Sequence, residues 1–140
     1  MRVTRRYRFA ASHRLHSPRL SEEQNQETYG KCNNPYGHGH DYILEVTLQG
    51  PADQQTGLVM NREDFDGFVD RTVLQELRHS NLNTQIPVFA ESVPTTENVA
   101  VEIRRRLADQ WREAFPANGP RLERIRLYET RKNIIEVSGQ

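Results

Sequence analysis

Three histidines stand at positions from which two strands could bring their side chains together. His38 and His40 are two residues apart in "HGHDYILEVTLQG", whose alternating apolar residues predict a strand, so both imidazoles leave the same face. His13 ends a second alternating segment, "VTRRYRFAASH", and continues its apolar face. Three neutral imidazoles around an open fourth position are typical of a catalytic zinc site. A His-x-His pair alone is weak evidence, because it also occurs in surface turns or with backbone carbonyls as partners.

The chain has one cysteine, and its surroundings indicate chemistry rather than packing. Cys32 lies in "GKCNNPYGHGHDY", a segment rich in Gly and Asn that lacks the apolar period of a core element. As a fourth metal ligand, Cys32 would close the site and make it structural. Held a few ångströms away, it could act as a general base or nucleophile. The residues leave both roles open, although the rigid Asn-Pro spacer fits separation better.

Two further segments offer polar groups next to apolar positions. Glu129 ends an apolar stripe in "RLERIRLYE", and a carboxylate buried there needs hydrogen-bond donors, such as the planar N–H and NH₂ edge of a heterocycle. The alternative is a strand that simply emerges into solvent at this point. Thr95, Thr96 and Glu97 open a predicted helix, and their free N–H groups and hydroxyls could also bind a ligand.

Length, charge and cysteine content exclude several classes of protein. With 140 residues, 35% of them hydrophobic and 27% charged, the chain is predicted to form a single domain, residues 1–140. Its 19 basic and 19 acidic residues balance, which argues against nucleic acid or a membrane surface as partner. The N-terminus lacks the apolar run of a signal peptide, and no segment approaches about 20 apolar residues. A lone cysteine excludes an intrachain disulfide, so a cytoplasmic location is predicted.

The periodic segments predict an α+β fold in the order ββ-αα-ββ. The two histidine-bearing strands come first, and "GPADQQTG" is predicted to turn into a short strand, "LVMN". A helical turn after Ser21 interrupts the polar loop between those strands. Helices follow over residues 63–77 and from Thr95 or Thr96 to "ANGP". The strands "LERIRLYE" and "NIIEVSG" complete an antiparallel four-stranded sheet with two helices on one face.

Taken together, these segments resemble the 6-pyruvoyl-tetrahydropterin synthase family nearly end to end. The resemblance is carried by "FAASHRL", "CNNPYGHGHDY", "GLVMN", "HSNLN", "PTTENVAVEI" and "LYETRKNIIEV", which occur in the family's order. The spacing between Cys32 and the His-x-His pair is the most specific feature. Relatives that make 6-carboxy-tetrahydropterin usually have a shorter spacing, so this chain resembles the pyruvoyl-forming type.

The resemblance implies an assembly as well as a fold. In the tunnelling fold, sheets from several subunits join into a barrel, sites form at subunit interfaces, and homohexamers are usual. It implies one zinc ion per subunit, bound by His13, His38 and His40. It also implies that Glu129 anchors the pterin ring with help from the segment Thr95, Thr96 and Glu97.

The resemblance further implies a lyase reaction on 7,8-dihydroneopterin triphosphate. Cys32 would be the general base and would work with His79, while zinc would polarise the side-chain hydroxyls of the substrate. Triphosphate, accompanied by Mg²⁺, would leave by elimination and give 6-pyruvoyl-tetrahydropterin. The alternatives are 6-carboxy-tetrahydropterin formation or another side-chain cleavage of the same substrate, and a pterin-binding paralogue with impaired catalysis.

One residue departs from the family's pattern. The family has an Asp-His pair where this chain reads "ELRHSNLN", so Arg78 stands in the place of the acid before His79. A carboxylate there would orient the imidazole and stabilise its protonated form, and a guanidinium facing His79 would do the reverse. We therefore expect reduced or altered turnover, with metal and pterin binding retained, unless another acid such as Asp64 or Glu76 substitutes.

Overall fold

Two long antiparallel strands form the centre of the sheet. The computed structural model describes residues 1–139, so Gln140, the last residue of the predicted domain, lies outside the described residues. Strand β1 (Arg2–His13) pairs with strand β2 (His38–Gln49) along its whole length, from Arg2 opposite Gln49 to His13 opposite His38. The predicted alternation of both segments is confirmed, because one face of each strand is buried and ends in histidine.

The sheet has five strands, in the order β3-β1-β2-β4-β5. Strands β4 (Arg121–Tyr128) and β5 (Ile134–Ser138) form the predicted antiparallel hairpin next to β2. The prediction of four antiparallel strands is therefore incomplete, since the short β3 (Ser80–Asn81) adds a parallel pairing to β1. Two residues are too few to produce a periodic pattern. The predicted strand "LVMN" is wrong, because Val59 and Met60 form a bend and Asn61 then caps the next helix.

Five α-helices connect the strands within residues 1–139, and four of them begin at a side-chain cap. They are α1 (Glu22–Tyr29), α2 (Arg62–Val69), α3 (Gln75–Leu77), α4 (Leu82–Gln85) and α5 (Thr96–Ala114). A π-helical turn over residues 70–74 joins α2 to α3, so the predicted helix 63–77 is one continuous helical segment. Caps are supplied by Ser21, Asn61, Asn81 and Thr95, as expected for residues whose oxygen satisfies a free N–H.

The core lies between the inner face of the sheet and the helices α2 and α5. The α+β class is confirmed, with both predicted long helices on one face of the sheet. None of the helices within residues 1–139 combines the length and the apolar character needed to cross a bilayer. The main core side chains are Phe9, Tyr42, Leu44, Val46, Phe65, Phe68, Ile103, Leu107, Ile125 and Leu127.

A buried carboxylate ties α5 to the end of α3. The Glu102 side chain is only 5% exposed and accepts hydrogen bonds from Arg105 Nε at 2.7 Å and Arg106 Nε at 3.0 Å. Arg106 also donates to Glu76 of α3 at 2.7 Å. Glu76 is therefore already paired, and it holds the helical segment that ends just before Arg78.

Replacing Glu102 by Gln should reduce the loss of unfolding free energy that occurs as the pH falls. Burial acts to raise the pKa of the Glu102 carboxyl, but the hydrogen bonds from Arg105 and Arg106 outweigh it, so this pKa is lowered. A carboxyl with a lowered pKa stabilises the fold above its unfolded-state pKa of about 4.3, and this contribution is lost as the pH falls through the folded-state pKa.

Urea unfolding between pH 3.5 and 7 measures this contribution. The wild type should lose stability more steeply below about pH 5 than Glu102→Gln does, because only the wild type gives up the carboxylate. Glu27→Gln, at an exposed glutamate of α1, is the matched control and should follow the wild type. Parallel curves for the wild type and Glu102→Gln would contradict this account of Glu102.

Candidate active site

The three histidines converge at one end of the sheet. The β1–β2 register sets His13 opposite His38, and His40 follows two residues along the same face. Their ligand atoms all lie within 4.8 Å of one another. The Nε2 atoms of His13 and His38 are 3.1 Å apart, and the three rings meet edge to face with centroids 4.7 to 5.0 Å apart.

Backbone and side-chain partners fix the orientation of His13. Its Nδ1 lies 2.9 Å from the carbonyl oxygen of Pro94, which can only accept, so Nδ1 carries the hydrogen and Nε2 keeps its lone pair. The hydroxyl of the buried Tyr42 lies 3.3 Å from the same Nδ1. Burial lowers the pKa of His13 and of His38, so both rings are held in the neutral form that binds metal ions.

The cluster fits a tetrahedral divalent metal ion such as zinc. The Nε2 atom of His40 is buried and has no hydrogen-bond partner among residues 1–139, which is costly unless something else satisfies it. Zn–N bonds of about 2.0–2.1 Å at tetrahedral angles put two ligand nitrogens about 3.4 Å apart, close to the separation of the His13 and His38 nitrogens. A cation at the centre would satisfy all three nitrogens at once.

Glu129 lies at the edge of the histidine cluster. Its carboxylate oxygens are 4.0 Å from Nε2 of His13 and 3.9 Å from Nε2 of His40, and its side chain is 12% exposed. The Thr96 hydroxyl donates a hydrogen bond to the carboxylate, and it accepts one from the Asn133 amide at 3.2 Å. The strand therefore does not release Glu129 into bulk solvent. Its carboxylate is held beside the three imidazoles.

The side chains of Thr95, Thr96 and Glu97 make different contacts. Thr96 is buried and contacts Glu129. The Thr95 hydroxyl accepts from the backbone N–H of Asn98 at 3.2 Å and so caps α5. Glu97 is exposed in the first turn of the helix. Of the three, only Thr96 is brought to the carboxylate of Glu129.

Cys32 lies near the histidine cluster but outside it. It belongs to a 3₁₀ turn, Gly30–Asn33, and is partly buried. Burial raises the pKa of the Cys32 thiol, and the negative charge of Glu129 acts in the same direction, so the two groups share one electrostatic environment. Among the described residues the compact metal-ligand cluster consists of the three histidines alone.

His79 and Cys32 are not brought together within one chain. His79 is exposed and adopts φ +57°, a left-handed conformation that is uncommon for a residue other than glycine. With Ala10, His40 and Asp41 it lines a depression at the end of the sheet that carries the histidine cluster. No hydrogen bond within the described part of the chain links it to Cys32.

The guanidinium of Arg78 is paired with an acid of the π-helical turn. Its Nη2 donates to Asp70 at 2.6 Å, and Asp70 also accepts from Gln75 at 3.0 Å. The hydrogen bonds from Arg78 and Gln75 lower the pKa of Asp70, so the acid stays ionised. The positive charge at this position is therefore countered by Asp70, and not by Asp64 or Glu76.

Sequence reasoning missed three partners of the site. Tyr42 lies on the same face of β2 as His38 and His40, so the alternation of side chains could have predicted its contact with His13. The Pro94 carbonyl and the Asn133 amide gave no sequence signal, because backbone carbonyls and turn asparagines occur in most loops whether or not they contact a site. Their importance follows only from the tertiary contacts with His13 and Thr96.

Known proteins resemble this chain over its whole length. A sequence model of the family described as 6-pyruvoyl tetrahydropterin synthase matches residues 2–140. The curated 6-pyruvoyl tetrahydrobiopterin synthase of Poecilia reticulata is 49% identical over 138 residues, which are 99% of this chain and 90% of that protein. The Homo sapiens protein of the same name is 44% identical over 138 residues, which are 99% of this chain and 91% of that protein.

The fold comparison gives the same relationship. A solved structure of Caenorhabditis elegans 6-pyruvoyl tetrahydropterin synthase has a TM-score of 0.88 and 34% identity, with 100% of this chain and 96% of that chain covered. Family model, identity and fold thus agree from the first strand to the last. The chain belongs to the 6-pyruvoyl tetrahydropterin synthase family.

Proposed function

We propose that this chain is a lyase that converts 7,8-dihydroneopterin triphosphate to 6-pyruvoyl-tetrahydropterin with elimination of triphosphate. Membership of the family over residues 2–140 supports the reaction. The observation that carries the proposal is the convergence of His13, His38 and His40 beside Glu129, which Thr96 orients. Such an isomerisation and elimination needs a Lewis acid, a ring anchor and a group that moves protons.

His13, His38 and His40 would hold one zinc ion per subunit through their Nε2 atoms. The unpartnered nitrogen of His40 and the Pro94 hydrogen bond that fixes His13 support this ligand set. Bound there, zinc would polarise the hydroxyls of the substrate side chain and acidify the adjacent C–H bonds. The protein's part is to present three neutral imidazoles from two rigid strands.

Glu129 would anchor the pterin ring. The Thr96 hydroxyl occupies only part of the hydrogen-bonding capacity of the carboxylate, so both oxygens can still accept from the planar N–H and NH₂ edge of a pterin. The carboxylate oxygens lie 4.0 Å and 3.9 Å from histidine nitrogens, so a ring held there would extend its side chain over the metal site. Thr95 and Glu97 flank this position at the start of α5.

Cys32 would be the base that moves protons on the substrate side chain. Its thiolate would take a proton from a side-chain carbon of the substrate and deliver it to the pterin ring. The side chain is then oxidised as the ring is reduced, so no external oxidant is needed. Triphosphate, accompanied by Mg²⁺, would leave with the electron pair of its C–O bond as the neighbouring side-chain carbon loses a proton. A nearby cation would favour the thiolate and so offset the burial and the Glu129 charge that raise the pKa of Cys32.

The site would be completed in a cytoplasmic homo-oligomer, with a hexamer as the expected form. Within residues 1–139, β5 pairs on one side only, with β4, which leaves an open sheet edge for a second subunit. His79 is exposed and forms no hydrogen bond within residues 1–139 to the thiol of its own chain. In the assembly, His79 of one subunit would exchange protons with Cys32 of another.

Product analysis tests the proposed reaction. Zinc-loaded protein, 7,8-dihydroneopterin triphosphate and Mg²⁺ should give triphosphate and a tetrahydropterin that retains all three side-chain carbons, under anaerobic reducing conditions. Protein freed of zinc by a chelator should give no product, and zinc should restore it. Loss of a two-carbon fragment would assign 6-carboxy-tetrahydropterin formation instead. Intact substrate, with zinc and pterin both bound, would make the chain a pterin-binding paralogue.

The Arg78 position is expected to limit turnover. A carboxylate before His79 would stabilise its imidazolium, so Arg78→Asp combined with Asp70→Asn should raise kcat about tenfold, a small part of what general acid–base catalysis supplies. Asp70→Asn is included because a new Asp would otherwise face the unpaired carboxylate of Asp70.

Two controls separate the contributions in this experiment. Arg78→Ala removes the positive charge without adding an acid, and Asp70→Asn alone leaves Arg78 unpaired. Steady-state kcat and the acid limb of its pH profile are compared across the three variants and the wild type. Equal kcat values for the wild type and the Asp-containing double variant would show that a carboxylate at this position is irrelevant here.

A further inference from the structure

A buried asparagine follows Cys32, and both its side-chain amide and its backbone carbonyl form hydrogen bonds. Asn33 is 8% exposed. Its side-chain Nδ2 donates to the carbonyl of Leu15 at 2.7 Å and to Nδ1 of His16 at 3.0 Å. Its own backbone carbonyl accepts from Nε of Arg14 at 3.1 Å. Asn33 thus joins the loop that carries the thiol to the segment that follows β1.

The chemistry of these partners fixes the orientation of the amide. A backbone carbonyl can only accept, so the nitrogen of the Asn33 amide, and not its oxygen, faces Leu15. Both hydrogens of that nitrogen are then used, one by Leu15 and one by His16. Nδ1 of His16 is consequently an acceptor, and the ring carries its hydrogen on Nε2.

Cys32 and Asn33 together hold both backbone groups of Leu15. The Leu15 N–H donates to the carbonyl of Cys32 at 2.8 Å, and the Leu15 carbonyl accepts from Asn33. The segment they grip is itself rigid, because the Asn83 side chain accepts from the Arg14 N–H at 2.7 Å and donates to the Arg14 carbonyl at 2.8 Å. This segment begins directly after His13, so these hydrogen bonds fix the position of the Cys32 turn relative to a histidine of the cluster.

We propose that Asn33 is a positioning residue that holds Cys32 at its working distance from the histidine cluster. This inference rests on the proposed function for the role of Cys32 in proton transfer. The hydrogen bonds of Asn33 go to residues 14–16, so it acts by clamping the backbone of the 3₁₀ turn against that segment. A loop residue can carry a catalytic group only if such contacts remove its conformational freedom.

Asn33→Asp tests the clamp, and Asn34→Asp is its matched control. The first change keeps the side-chain shape but replaces the amide nitrogen and its two donated hydrogens with a carboxylate oxygen, which then faces the Leu15 carbonyl and His16. The second places the same charge on the exposed neighbour, whose side chain accepts from the N–H of Tyr36 at 3.2 Å. Zinc content should stay the same in both, because the three histidines lie on strands.

Two readouts distinguish positioning from general destabilisation. For Asn33→Asp, kcat should fall roughly 10- to 100-fold with little change in KM, as expected for a misplaced catalytic group. Since Cys32 is the only cysteine, its alkylation by iodoacetamide can be followed without interference, and it should become several-fold faster once the turn is released. Asn34→Asp should match the wild type in both measurements.

The outcomes separate this inference from the proposed reaction. Unchanged kcat, or unchanged alkylation of Cys32, in a folded and zinc-loaded Asn33→Asp variant would overturn the positioning role. If that variant does not fold, His16→Ala removes one acceptor of the same amide and should give a smaller acceleration of alkylation; a wild-type rate there would overturn the inference. Absence of product from the wild type would instead overturn the proposed function.

Discussion

The register of the β1–β2 pairing is the constraint on which the site depends. Side chains alternate along a strand, so a slip of one residue would move His38 and His40 to the opposite face from His13. The core fixes that register, because Phe9 stands opposite Tyr42 and their rings stack with centroids 5.0 Å apart. The interaction that stabilises the sheet therefore also brings the three imidazoles together.

The alternation of side chains along the strands made much of the site's arrangement predictable from the sequence. The convergence of the histidines and the inward direction of Glu129 both follow from alternation, and the helix beginning at Thr96 follows from its cap. The short strand β3 was beyond reach because two residues carry no period. The apolar residues of "LVMN" favour a strand, but Val59 and Met60 form a bend and Asn61 caps the next helix. The Arg78–Asp70 pair depends on a π-helical turn that no pattern indicated.

The groups of the site differ in how firmly the fold holds them. The imidazoles stand on paired strands, and Glu129 lies just beyond β4 and is oriented by Thr96. The thiol alone is carried by a turn in a long connection, and polar side chains rather than apolar packing secure it. This division suits the proposed function, in which the histidines would stay fixed as metal ligands while Cys32 exchanges protons.

X-ray absorption spectroscopy of the zinc-loaded protein shows directly whether the three histidines bind the metal while Cys32 stands apart. We expect nitrogen and oxygen scatterers at about 2.0–2.1 Å, with a multiple-scattering pattern of three imidazoles and no sulfur. A sulfur scatterer at about 2.3 Å would make Cys32 a zinc ligand, close the site, and contradict its role as a free base.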